Sequence, residues 1–417
     1  VNKFVLLIIA TFLFFKLLLF KLNFPLAPTL YNFIYLFIIY LYFKDVVYND
    51  IKINKTPFIL FVYIFILFVY IFVLDVFRGV SFVDHIMLVI HYFWGMLLFI
   101  FLKVANKDKY FSYVTFDKSI LYLVLIYGIL AFFQYSNYSI SQAFIIPNYA
   151  WGGEEQQTVQ KIYLSTNSVT GTMLRMANFG NLMALFINYL VAKKIIGRFR
   201  INNLFFYSII ILGCISIILT GIRTSLGSLL FGLVLNFWFF KRKVFFLSLP
   251  IILPVIVLSI PILMDLANYS IGANVQTENP LLRVAGLLYV FSGEADFTNI
   301  TLSRSINMLE VIKGNWLFGE GTFYESGYTG ISSPTDAFLL FHIAEIGLVG
   351  LAMLLFPYFY LLKHIKNRSE KYYRVLLILF LVLCLQSITD NGLFYLVANM
   401  IFWIMVFASY SDITSGS

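Results

Sequence analysis

Arginine is costly inside apolar sequence, and here Arg175 and Arg223 stand at the edges of apolar runs, while Arg283 and Arg304 fall in a long, less apolar stretch between two such runs. Arg223 sits in Leu219-Thr220-Gly221-Ile222-Arg223-Thr224-Ser225, a Thr-Gly turn between two apolar runs. A guanidinium held in such a turn can place its fork of donors on phosphate oxygens; a lone Arg near a span end can also simply snorkel to a headgroup. Small neighbours (Gly221, Ser225, Gly227, Ser228) allow close helix approach at that point. Arg304 follows Ser303 at the start of an amphipathic pattern that predicts a helix with Gly314 as its C-cap. A cation in a first helical turn opposes the helix dipole unless an anion binds there or a carboxylate (Glu294, Asp296 or Glu310) pairs with it. Arg283 opens a short segment, Arg283-Val284-Ala285-Gly286, and Arg175 stands at the start of an apolar run. Both are candidates for anion contact, and Arg175, so close to a helix end, can instead snorkel.

The second chemical cluster is Thr335-Asp336-Ala337-Phe338-Leu339-Leu340-Phe341-His342-Ile343-Ala344-Glu345-Ile346-Gly347-Leu348-Val349-Gly350. Asp336 falls in the first turn of a predicted helix, where a carboxylate suits the dipole; it is read as a catalytic carboxylate or as a cap. His342 and Glu345 are three apart and so near neighbours on one helical face, either a structural contact or a proton-handling pair. Asp390, in Thr389-Asp390-Asn391-Gly392, reads first as a turn. Nothing in the chain matches a nucleotide-binding Gly-rich loop, a zinc-protease helix or paired Cys ligands, and its four His are scattered. No cofactor, no tightly held metal and no ATP-driven step is therefore expected.

The elements that position these residues are predicted membrane helices and the loops between them. Hydrophobic residues make up 61% of the 417 positions, 47 of them Phe, and only 12% are charged. Apolar runs near 4–22, 26–43, 57–74, 83–102, 119–135, 172–192, 203–220, 224–240, 244–264, 335–362, 373–389 and 392–410 predict an all-α polytopic integral membrane protein of about 12 transmembrane helices. The first run lacks a signal-peptide cleavage pattern and is read as the first span. Basic clusters at 44–55, 103–118, 193–200, 241–243 and 363–374 fall on one side of that map, so both termini are expected in the cytoplasm. The net charge of +9 follows from these flanks and predicts no nucleic-acid partner. The expected organisation is helices 1–9 over residues 1–264, a large, partly helical external loop over 265–334, and helices 10–12 with a cytoplasmic C-terminus over 335–417. Cys214 and Cys384 lie inside predicted helices as apolar fillers, and no internal repeat is visible.

With these pieces in order, the chain resembles the O-antigen polymerase and O-antigen ligase superfamily of bacterial envelope glycosyltransferases. The resemblance rests on Leu219-Thr220-Gly221-Ile222-Arg223-Thr224, on the Arg304 segment running into Asn315-Trp316-Leu317-Phe318-Gly319-Glu320-Gly321, and on Ala344-Glu345-Ile346-Gly347-Leu348-Val349-Gly350. It covers roughly 165–350 in detail and the rest in topology only. It implies a GT-C-like enzyme of the bacterial inner membrane, acting at the periplasmic face on undecaprenyl-diphosphate-linked oligosaccharides. A repeat-unit polymerase would transfer the growing glycan to a sugar hydroxyl of an incoming lipid-linked unit, with inversion. Arg223 and Arg304, then Arg283 and Arg175, would bind the diphosphate, and Asp336 or His342 would be the base. Besides substrate and membrane lipid, a chain-length regulator is a partner the resemblance leaves open. Two alternatives remain: a ligase transferring the glycan to lipid A–core, whose relatives usually carry a His-Asn pair where this chain has Asp336-Ala337, and a polysaccharide flippase or secondary transporter.

Overall fold

A computed structural model describes residues 55–77, 79, 95–100, 113–136, 169, 176–199, 201–247, 313–319, 321, 338–389 and 396–415. The longer helices among them are α1 (Lys55–Phe77), α2 (Tyr113–Ser136), α3 (Met176–Ile195), α4 (Asn203–Leu219), α5 (Arg223–Phe240), α6 (Phe338–Lys366), α7 (Glu370–Thr389) and α8 (Leu396–Ser415). Among the described residues the chain is all-α, with a few long apolar helices consistent with a membrane protein. Three stretches are long and apolar enough to cross a bilayer by length and composition: Phe58–Phe77, Phe116–Ser136 and His342–Lys366. Burial shows the same character. In α1, Leu60, Ile64, Leu67 and Ile71 recur at helical spacing and are buried, yet Phe58, Phe61, Phe65 and Val69 on the other side are exposed. A helix apolar on both faces has no side suited to water.

The helices group into two compact units, one holding α2 to α5 and the other α1 and α6 to α8. In the first, α3 is buried at every position from Phe179 to Leu190 and packs against α2, α4 and above all α5. Small residues set the approach. A Cβ on Gly213 of α4 would meet Val124 of α2 at 2.8 Å and Ile187 of α3 at 3.0 Å. The α3–α4 connection is tight because Gly197 takes φ 76°, Arg198 N–H donates to the Lys193 carbonyl, and Asn202 caps α4 by accepting from Leu204 N–H at 2.8 Å.

In the second unit α6 packs against α1 and α7, and α7 against α8. Tyr63 of α1 stacks on Phe356 of α6 with centroids 4.0 Å apart. Helix α8 is buried from Ala398 to Tyr410, and Asn399 Nδ2 donates to Tyr358 Oη of α6 at 3.1 Å. Helix α6 is broken near its start: Gly347 adopts φ 67°, ψ −179°. That combination is open essentially to glycine alone and costs other residues on the order of 1–3 kcal/mol.

Candidate functional site

The Thr-Gly turn before Arg223 forms as its sequence predicts. Thr220 ends α4, its Oγ1 donating to the Ile217 carbonyl at 2.6 Å and accepting from Ile222 N–H at 3.2 Å. Gly221 reverses the chain with φ 67°. Leu219, with its carbonyl left over at the helix end, receives Val169 N–H at 3.2 Å. Arg223 is thereby the first residue of α5. The preceding Ile222 supplies no side-chain cap, and the first turn contains no acidic residue. The partial positive charge of this helix end is thus neutralised by no carboxylate in its own first turn. The Arg223 side chain, and Arg175, Arg283, Arg304 and Asp336 altogether, lie outside the described residues.

Of the small residues near Arg223, Ser225 faces α3 and Gly227 does not. Ser225 Oγ donates to Asn181 Oδ1 at 2.8 Å, and a Cβ on Gly180 would meet Ser225 Oγ at 2.5 Å, whereas one on Gly227 would meet nothing within 4 Å. Two turns along the same seam, Asn236 Nδ2 donates to Asn188 Oδ1 at 3.3 Å and to the Gly232 carbonyl at 2.9 Å. Asn188 Nδ2 donates to the Ala184 carbonyl at 2.9 Å. Sequence reading treated span centres as apolar and missed this asparagine seam. The signal was present: Asn181 and Asn188 are seven apart in a buried run, which puts them on one helical stripe.

A buried charge cluster was missed as well. Lys193 Nζ lies 3.4 Å from Asp117 Oδ2, both side chains fully buried, and Tyr189 Oη donates to Asp117 Oδ1 at 2.6 Å. Lys193 had been counted only as part of a basic flank. It ties the end of α3 to the start of α2 through a desolvated pair.

The second unit holds the other candidate. His342 and Glu345 do meet: Nδ1 lies 3.0 Å from Glu345 Oε2, and both residues are buried. The proton of the neutral imidazole on that contact belongs to Nδ1, which leaves Nε2 as the basic nitrogen. Immediately after the pair comes the break at Gly347, and a short strap, residues 316–319 together with Gly321, fills it. Leu348 N–H donates to the Trp316 carbonyl at 3.0 Å and Val349 N–H to that of Leu317 at 3.1 Å. In return Gly321 N–H donates to the Glu345 carbonyl at 2.9 Å. Tyr70 of α1 adds its hydroxyl, 2.9 Å from the Ile346 carbonyl and 3.1 Å from that of Phe318. Backbone groups freed by the break are thus paired again, as they must be where water is scarce.

Only glycine fits where strap and break touch. A Cβ on Gly319 would strike the Glu345 carbonyl, and one on Gly347 that of Leu317. The strap also corrects the expected end of the helix before it. The chain stays helical through Asn315, and the left-handed residue is Gly319, φ 81°, not Gly314. Gly319 N–H donates to the Asn315 carbonyl and Asn315 Nδ2 to the Gly319 carbonyl, both at 2.8 Å, closing the turn on itself. Among the described residues no group of three or more His, Cys, Asp or Glu is placed to hold a metal ion. The sequence matches no protein-family model and no curated protein.

Proposed function

We propose that this chain is a repeat-unit polysaccharide (O-antigen) polymerase of the bacterial inner membrane. It has a GT-C-like arrangement of about twelve spans, cytoplasmic termini and an external loop over 265–334. Its donor is a growing glycan on undecaprenyl diphosphate, and its acceptor a sugar hydroxyl of an incoming lipid-linked unit. The acceptor oxygen attacks carbon 1 of the donor's reducing-end sugar. The bond to the diphosphate oxygen breaks with its electron pair, and the anomeric configuration inverts. Charge grows on the departing oxygen, so a fixed cation aimed there stabilises the transition state more than the bound ground state.

The observation that carries this reading is the position of Arg223, on the first turn of a helix that has no side-chain cap and no acidic residue there. Helix dipole and guanidinium together favour a phosphate-type anion. Arg304, Arg283 and Arg175 are proposed as further diphosphate contacts. The acceptor's proton passes to a base at the head of α6: Asp336, or His342 with Glu345 holding its imidazole. The flippase reading draws less support, because Asp75, Asp117 and Lys193 are buried near helix ends and not at span centres.

The test is purified protein incubated with undecaprenyl-diphosphate-linked repeat units alone. A polymerase makes a ladder of lengthening products, whereas a ligase gives product only when lipid A–core is added. Arg223→Ala should lower the rate by about 10²–10³, the range for loss of one charge-stabilising donor. Arg223→Lys should recover little, since a point charge cannot copy a two-pronged contact. A normal ladder from Arg223→Ala at normal membrane levels overturns the diphosphate role.

A further inference from the structure

The break in α6 is held by a residue from a distant part of the chain, and the hold bears on the imidazole one turn away. Tyr70 has one hydroxyl proton, and two carbonyls lie within its reach: Ile346 at 2.9 Å on the broken helix and Phe318 at 3.1 Å on the strap. The adjacent Glu345 is gripped at both ends. Its carbonyl receives Gly321 N–H at 2.9 Å, and its carboxylate receives His342 Nδ1 at 3.0 Å. Strap and α1 therefore hold two successive peptides of the broken helix, Glu345–Ile346 through Gly321 and Ile346–Gly347 through Tyr70, and a turn of the second is passed through Ile346 to the first and to the Glu345 residue that orients the imidazole. Gly350 leaves room for both partners of this contact: a Cβ there would press on Ile346 Cβ at 2.5 Å and on Tyr70 Cε1 at 2.9 Å.

We infer that Tyr70 is a positioning residue for His342, acting through the Ile346 carbonyl and the Glu345 side chain. This rests on the reading of His342 as a base in the proposed transfer. Without the hydroxyl, the Ile346 and Phe318 carbonyls lose the one proton they share, and the Ile346–Gly347 peptide can rotate toward another partner. Glu345 then holds Nδ1–H less often, and the basic Nε2 tautomer is less populated. Binding of the lipid-linked units, which the arginines govern, is left intact.

The experiment compares Tyr70→Phe with Tyr63→Phe, which removes a hydroxyl from the same helix while keeping a stacked ring, and reads two things. The first is the nitrogen spectrum of the ring-labelled histidines, of which the chain has four, with His342 assigned by His342→Gln. The expected result is a shift of the His342 signals toward mixed tautomers in Tyr70→Phe and no shift in Tyr63→Phe. The second is transfer: kcat should fall about tenfold in Tyr70→Phe with KM for the lipid-linked acceptor unchanged. Unmoved His342 signals, or an unchanged kcat, overturn the inference, and so does an equal effect from Tyr63→Phe. If Tyr70→Phe does not accumulate, Gly350→Ala presses on Ile346 and on the Tyr70 ring together, separates carbonyl from hydroxyl with the hydroxyl retained, and should give the same pair of changes. If the wild-type protein shows no transfer, or His342→Gln is fully active, the functional reading fails by itself; the nitrogen spectrum still decides whether Tyr70 positions the pair.

Discussion

At the scale of single residues, the buried charges carry the sharpest expectations. Lys193 and Asp117 are both fully buried, so removing one partner leaves the other desolvated without this counter-charge. Asp117→Asn or Lys193→Met should each destabilise by about 3–5 kcal/mol, and replacing both by apolar residues of similar size should cost less than either. Thermal unfolding in detergent measures this, and equal losses from single and double variants would deny the coupling. Asp336 is tested by Asp336→Asn. If it is the base, the variant binds lipid-linked substrate but turns over at least about 10²-fold more slowly; if it only caps α6, Asn serves nearly as well. The contact of His342 with Glu345 was legible in the sequence because spacing of three is local geometry. The partners of Tyr70 were not legible: among 28 tyrosines nothing marks this one, since its acceptors are backbone carbonyls roughly 250 and 280 residues away.

At the scale of elements, glycines separate strain from collision. Gly79, with φ 73°, has open space where a Cβ would go, so Gly79→Ala should cost about 1–2 kcal/mol from backbone strain alone. Gly347→Ala and Gly319→Ala add a clash with the opposing backbone and should cost clearly more, read as the loss of thermal stability relative to Gly79→Ala. The sequence showed Glu345-Ile346-Gly347-Leu348-Val349-Gly350 as a stretch of one helix, because glycine is common within membrane helices and a break there is decided by what docks against it. Turn chemistry was more readable: Thr220-Gly221 needs only its own residues and the helix it ends. The exposed pair at the start of α7 offers a contrast. Arg374 Nη2 lies 2.6 Å from Glu370 Oε1 and holds that carboxyl below its ordinary range. A depressed carboxylate contributes stability above its unfolded pKa and loses it as pH falls through the folded one. Because the pair is solvated, Glu370→Gln should leave stability unchanged between neutral and mildly acid pH.

At the scale of the whole molecule, orientation is the claim most open to direct measurement. A cysteine at Asn299 should react with an impermeant reagent once the outer barrier is opened, and one at Asn203 only after the inner membrane is permeabilised. The reverse pattern at both sites would invert the map and with it the proposed face of catalysis. Apolar length made the helices readable one at a time: the runs at 203–220 and 224–240 became α4 and α5 within a residue or two. How α3 and α5 associate was hidden, because it turns on Asn181, Asn188, Ser225 and Asn236, few polar atoms among many apolar ones.

The break at Gly347 also divides α6 by bilayer thickness. Unbroken, its 29 residues would extend roughly 43 Å, well beyond a hydrocarbon layer of about 30 Å. The part from Leu348 to Lys366 measures roughly 28 Å, close to that layer, and carries Lys363 and Lys366 in its last turn, the residues suited to anchor a span end. On the proposed reading, the half-helix with His342 and Glu345 stands at the opposite hydrocarbon boundary, at the depth where the diphosphate of a lipid-linked substrate meets water. Activity should therefore follow acyl-chain length in reconstituted membranes, highest where the hydrocarbon equals the longer half-helix, and falling in thicker bilayers that draw the break below the interface.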